Sequence, residues 1–240
     1  MKISQVLPVI KRQYAFGDTR YLHLDEFNLI KKHELNSELH RTINIEEITS
    51  PYILVCGCSN SMGESITKEQ TYSYLLSKNL NMPVYNMSIS ASGCDFISNN
   101  VKEWISNFPI KPSSIIVQWS HPTSRFSFCK TNQPLDLYLL GPWVIDENFR
   151  HDLWKKETEL QKVYRTNLDN ILDISLHNRL SLINFLDNNK IKLIEIMIDD
   201  DRLDNLIQFS SVDRGADGAH PGPHTHLHIA NTLTTMLLKQ

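Results

Sequence analysis

The sequence predicts an α/β fold, a three-layer α/β/α sandwich built on a mostly parallel sheet, over residues 51–240. Two observations carry this. Short apolar runs alternate with segments of helical periodicity, and the links between them are short. Small-residue turns also follow the first strands, as expected where parallel strands run into helices.

Each element has its own signal. Tyr52-Ile53-Leu54-Val55-Cys56 is an apolar run closed by Gly57, the pattern of a buried parallel strand. Thr67-Lys68-Glu69-Gln70 has the form of a capping box, and Tyr72, Leu75, Leu76 and Leu80 then share a helical face. Pro83 to Met87 reads as a second strand. Ile97, Val101, Trp104, Ile105 and Phe108 form another helical stripe, which Pro109 ends. Ser114 to Trp119 is a third strand. Residues 121–150, with Pro122, Pro134 and Pro142, read as an irregular insertion of lid or binding-loop length. The stretch to Asn188 is expected to form two helices, with Val163, Tyr164, Leu168, Ile171, Leu172, Leu180 and Ile183 inward. Ile191 to Ile198 is the clearest strand. A last helix starts at Pro223, a residue suited to the first helical position, and buries Ile229, Leu233, Met236 and Leu237. Residues 1–50 are mixed in pattern and read as an N-terminal appendage.

Composition narrows the function. The 240 residues are 41% hydrophobic and 21% charged, ordinary for a domain with a real core. A net charge of −3 with scattered Lys and Arg gives no footprint for a nucleic-acid partner. No run approaches the roughly 18 apolar residues of a membrane span. The start, Met1 to Arg12, is too short and interrupted for a signal-peptide core, so the expected location is cytoplasmic, or outside by a route without a signal peptide. Cys56 and Cys58 flank Gly57, but neither Cys94 nor Cys129 gives a second close pair, so buried free thiols are expected.

Three segments carry chemistry, and all lie where an α/β sheet holds ligands, beyond the carboxyl ends of strands. In Gly57-Cys58-Ser59-Asn60-Ser61-Met62-Gly63-Glu64, a serine sits on a tight strand-to-helix turn, with its own N–H available to a developing oxyanion. Asn86 to Gly93 is again a strand end running into small residues, which lets backbone approach a ligand. In Asp217-Gly218-Ala219-His220-Pro221-Gly222-Pro223, a carboxylate and an imidazole three positions apart share a rigid turn. Such a pair fixes the histidine tautomer and frees its other nitrogen as a base.

Together the three segments resemble the SGNH (GDSL-like) hydrolase superfamily. Gly57-Cys58-Ser59 with Gly63 is similar to the first family block, Cys58 standing in the usual Asp place. Asp217-x-x-His220 with Pro221-Gly222-Pro223, His226, Ile229 and Ala230 resembles the last. The resemblance covers about residues 51–239, with the long middle unmatched. It implies a flavodoxin-like sandwich, a Ser59/His220/Asp217 triad, and ester hydrolysis through an acyl-enzyme with no cofactor. The family's oxyanion glycine falls on Ala91, with Gly93 two residues on; the N–H of Ser59 is the other donor. The block G-x-N-D is missing after the third strand, where Ser120, Thr123 and Arg125 are the candidate oxyanion or substrate contacts. Polar composition with interleaved aromatics in the insertion tilts the substrate toward a short acyl group, such as acetyl, on a carbohydrate.

Two other readings come from the same residues. His220, His224 and His228, spaced by four with His226 between, together with Asp199, Asp200 and Asp201, suggest a metal-dependent hydrolase. The missing block-three Asn, with Tyr138 and Trp143 as stacking surfaces, suggests a non-catalytic glycan- or partner-binding module. The acidic run and Arg214 otherwise read as a solvated strand end and a structural residue.

Overall fold

The computed structural model describes residues 34–36, 40–122, 126–129, 137–141, 158–200 and 203–239. In chain order these form β1 (Ile53–Cys56), α1 (Ser59–Met62), α2 (Tyr72–Leu80), β2 (Val84–Asn86), α3 (Cys94–Asn107), β3 (Ser114–Gln118), β4 (Phe126–Cys129), β5 (Leu137–Leu140), α4 (Thr158–Asn167), α5 (Ile171–Asn188), β6 (Lys192–Ile198), β7 (Ile207–Phe209) and α6 (Pro223–Leu238).

Five strands form one parallel sheet in the order β2-β1-β3-β6-β7. Counted within the sheet this is 2-1-3-4-5, the flavodoxin-like order, whose switch point lies between β1 and β3. Alternation along β1 builds both faces. Leu54 and Cys56 enter a core with Tyr85, Trp104, Ile115, Val117, Leu182 and Leu186, under α3 and α5. Ile53 and Val55 enter the other, with Tyr72, Leu76, Ile116, Ile196, Ile229 and Leu233, under α2 and α6. The fold is thus the expected α/β/α sandwich. Its strands are apolar on both faces because both faces are covered.

Several local expectations are corrected. The Thr67/Gln70 box, with Thr67 N–H donating to Gln70 Oε1 at 3.0 Å, opens a 3-10 turn (Lys68–Gln70). The α-helix begins after it, where Thr71 Oγ1 accepts from Tyr74 N–H. The inward face expected for the paired helices holds in part: Tyr164 and Ile171 are buried as expected, but Leu168 and Leu172 are 37% exposed and Leu180 59%, while Ser175, Leu182 and Leu186 are buried in their stead. Leu180 lies nine residues from Ile171 on the same helix, about half a turn out of phase with the buried face. The insertion is not wholly irregular, since β4 and β5 pair antiparallel. Strand β7 extends the sheet past β6; three residues are too few for a periodic signal.

Within the segment read as an appendage, Leu35, Ile45 and Ile48 join the α3/α5 core. Thr42 Oγ1 donates to Val84 O at 3.1 Å and accepts from Asn86 N–H at 3.0 Å, which covers the open edge of β2. No helix among the described residues is long and apolar enough to cross a membrane.

Candidate active site

Strand β1 delivers Ser59. After Cys56 the chain must turn against β3, and Gly57 makes room: a Cβ there would lie 2.8 Å from Ser61 Oγ and 2.9 Å from Gln118 Oε1. Gln118 Oε1 accepts the Cys58 N–H at 3.2 Å, tying this turn to the end of β3. Ser59 then opens the four-residue helix α1, which stops at Gly63 in the left-handed region (φ 78°). Ser59 is 4% exposed, and among the described residues its hydroxyl has no hydrogen-bond partner. As the first helical residue, it has an N–H with no acceptor within the helix.

The loop after β2 runs beside this turn. Met87 N–H donates to Val55 O at 2.8 Å and Ile89 N–H to Gly57 O at 3.1 Å, so parallel pairing continues past the strand into the small-residue segment. Ala91 there has φ 67°, a left-handed conformation that favours glycine. Among the described residues nothing accepts its N–H. Gly93 is the N-cap of α3.

The third segment is a tight turn ahead of α6. Asp217 Oδ1 accepts the N–H groups of Ala219 (2.9 Å) and His220 (3.0 Å), while Oδ2 lies 2.5 Å from His220 Nδ1. Burial alone would raise the Asp217 carboxyl. The neighbouring Ser65 hydroxyl, the His220 ring and the two N–H groups outweigh it and hold the carboxyl well below its ordinary range. Behind the turn, Asp213 caps α6 from a distance, its carboxylate accepting from His224 N–H at 2.9 Å and Thr225 N–H at 2.8 Å. Gly222 is required by this cap, since a Cβ there would lie 2.5 Å from Asp213 Oδ2.

The turn docks on the chain just after α1. Ala216 N–H donates to Ser65 O at 3.2 Å, and Gly215 packs against Ser65. His220 Nε2 faces Glu64 Oε2 at 3.4 Å. The structure therefore brings the Asp217–His220 pair to the loop that carries Ser59, while no hydrogen bond joins Ser59 to His220 among the described residues.

Other candidates fare differently. Ser120 is 1% exposed, with Oγ 3.8 Å from Cys94 Sγ, so its hydroxyl is engaged inside the fold. Thr123, Arg125, Trp143 and Asp201 lie outside the described residues, as do the side chains of Tyr138 and Cys129. Cys56, Cys58 and Cys94 are free and buried, and burial pushes the Cys94 thiol up to about 12. The histidine stripe is broken: His220 sits in the turn before α6, His226 points inward, and His228 packs edge-on to Phe209. No group of three or more metal-capable side chains occurs among the described residues. Asp199 and Asp200 are partnered. Asp199 accepts from Ser211 and Arg214, and Asp200 Oδ2 lies 3.2 Å from His121 Nε2. Arg214 also donates to Ala219 O at 3.0 Å, which links a polar cleft of about 470 Å³, lined by Asp199, Asp200, Gln208, Phe209, Ser210 and Arg214, to the His220 turn.

Glu64, Ser65 and Asp213 are the site residues that sequence reasoning missed, and with them Arg41, whose guanidinium donates to Gly63 O and Ile66 O on either side of Glu64 and Ser65. Glu64 ends the quoted first segment, yet nothing in a pattern indicates which way a carboxylate points.

Fold and site together describe a doubly wound α/β/α protein with an Asp–His pair beside a strand-end serine. No family model and no curated protein sequence matches the chain. Solved structures similar to it include a lipolytic protein of the G-D-S-L family from Desulfitobacterium hafniense (10% identity, TM-score 0.46, covering 78% of this chain and 99% of that one). Others are a family 2 carbohydrate esterase from Corynascus thermopiles (11%, 0.45, 81% and 67%) and an acetyl xylan esterase from Butyrivibrio proteoclasticus (12%, 0.41, 79% and 64%).

Proposed function

We propose that the protein is a serine esterase of the SGNH type, with Ser59 as nucleophile, His220 as base and Asp217 as its orienting carboxylate. The observation that carries this reading is the 2.5 Å Asp217–His220 contact, in a turn that docks on the loop following Ser59. Asp217 at Nδ1 selects the tautomer that leaves Nε2 to take the serine proton. Ser59 Oγ attacks the ester carbonyl, the imidazolium protonates the departing alcohol, and water then releases the acyl group. The N–H groups of Ser59 and Ala91, unengaged and on adjoining loops, are the oxyanion donors; Gly93 N–H is the alternative to Ala91. The polar cleft beside the His220 turn suits an alcohol rich in hydroxyl groups. The substrate we infer is a short acyl ester, such as an acetyl group, on a carbohydrate.

The test compares the wild type and Ser59→Ala on p-nitrophenyl esters of increasing chain length and on acetylated glycans. Loss of all turnover in a folded variant, with a preference for acetyl, is the expected result. Undiminished hydrolysis by the variant removes Ser59 from this role. Failure of the wild type to react with a fluorophosphonate favours the non-catalytic binding module instead.

A further inference from the structure

We propose that Glu64 is a positioning residue of this site: its carboxylate competes with the Ser59 hydroxyl for His220 Nε2 and holds the ligand-free protein in a resting pairing. The inference rests on the reading of Ser59 and His220 given above, and deepens it.

An imidazole has two nitrogens. Nδ1 is engaged by Asp217 at 2.5 Å, so Nε2 is the one atom left to receive a proton from Ser59. Nε2 faces Glu64 Oε2 at 3.4 Å. With Nε2 directed at this carboxylate, and no hydrogen bond between Ser59 and His220 among the described residues, the base is not engaged with the nucleophile.

The contact is built into the fold. Glu64 is 7% exposed, and its N–H donates to Ser59 O at 3.2 Å, so its backbone is fixed to the nucleophile's own residue. It follows Gly63, whose left-handed conformation ends α1 and whose carbonyl accepts from the buried guanidinium of Arg41. A Cβ on Gly63 would lie 2.5 Å from Thr71 Cγ2, so this geometry admits no other residue there without displacement. The Glu64 backbone is thus held on the Ser59 side. The His220 side chain is 17% exposed against 6% for Glu64, and Gly218 at the tip of its turn has open space around it. For catalysis Nε2 leaves Glu64. Nε2 then turns to Ser59 and takes the hydroxyl proton as Oγ bonds to the acyl carbon.

The test uses the full chain carrying Glu64→Gln, which keeps size and removes charge, with Glu64→Asp as a second variant that keeps charge but shortens reach. Fluorophosphonate labelling of Ser59 is expected to be at least about threefold faster in Glu64→Gln. For p-nitrophenyl acetate, kcat is expected to rise while KM stays unchanged. An unchanged or slower rate in both variants overturns the proposal. Nitrogen NMR of His220 provides a readout that needs no turnover. The Nε2 resonance is expected to shift in Glu64→Gln, and identical resonances overturn the pairing. If the wild type and the variants all fail to label while the Nε2 resonance does move, the esterase reading fails and the Glu64 contact stands.

Discussion

Arg41 reaches from the N-terminal segment into the loop behind the nucleophile, where its Nη2 lies 2.6 Å from the carbonyl of Ile66. Nη1 donates to Gly63 O, and Glu34 accepts from Nη2 at 2.6 Å. The guanidinium side chain is 8% exposed, that of Glu34 46%. The two partners therefore contribute very differently. Replacing Arg41 by Met strands two loop carbonyls inside the protein, and each buried acceptor left without a donor typically costs about 1–3 kcal/mol. Glu34→Gln removes a solvent-screened charge, worth at most about 1 kcal/mol. Urea unfolding of both variants is expected to separate them by at least about 2 kcal/mol. Equal losses would show that the loop does not depend on Arg41.

That contact also marks where the sequence stops being readable. Strands β1, β3 and β6 were legible because burial on both faces leaves unbroken apolar runs, and the Asp217–His220 turn because Gly and Pro frame it. Arg41 was not, since a single basic residue in a segment without periodicity looks the same whether it is solvated or buried. Leu180 misled for a different reason: as an apolar residue in a helix it joins a stripe by type, yet it stands about half a turn out of phase with the buried Ile171. Glu64 was visible as a residue and invisible as a contact, because the approach of residue 220 to residue 64 is set by the whole sheet.

Asp217→Asn tests the tautomer argument separately from the nucleophile. An amide in that place can still accept the Ala219 and His220 N–H groups, so the turn is expected to survive. Its NH₂ would donate to Nδ1, forcing the ring proton onto Nε2 and leaving no lone pair for Ser59. Turnover is expected to fall about 10³–10⁴-fold, with little change in KM. A loss below about tenfold would mean that Asp217 does not set the ring's state.

Ala91 holds a left-handed conformation at φ 67° without being glycine. Such a residue carries about 1–2 kcal/mol of backbone strain. Glycine would relieve it, but an unfolded chain with glycine gains entropy worth about 0.4–1 kcal/mol. Ala91→Gly is therefore expected to be neutral or stabilising by up to about 1 kcal/mol. Its N–H is kept, so activity is expected to stay within about twofold of the wild type. Thermal unfolding checks the first expectation and p-nitrophenyl acetate turnover the second; a clear destabilisation would mean that the methyl group contributes packing that outweighs the strain.

Two buried histidines tie stability to pH. His226 is fully buried, accepts the Tyr72 N–H through Nδ1 at 3.1 Å and stacks on the Tyr72 ring. His40 is equally buried, with Nδ1 2.7 Å from Tyr85 Oη. Burial pulls His226 down to about 4 and His40 to about 3, from an ordinary 6.5. For His226, Asp213 opposes the shift and Arg41 adds to it. Unfolded, both rings take up protons near 6.5; folded, they resist until well below. Between those limits the unfolded state binds more protons, so the stabilisation is complete above about 6.5 and is lost progressively as pH falls through the folded values. Each ring contributes a slope of about 1.4 kcal/mol per pH unit in the middle of that window. The perturbed carboxylates Glu34, Asp199, Asp213 and Asp217 are shifted downward too, but from ordinary values of 4.5 and 3.8, so their effect begins lower. Urea unfolding between pH 6 and pH 5 thus isolates the histidines. His226→Asn, which can accept the Tyr72 N–H without titrating, is expected to flatten that slope by about one proton's worth. An unchanged slope would mean that His226 is already charged in the folded protein, which its burial and its acceptor role toward Tyr72 both oppose.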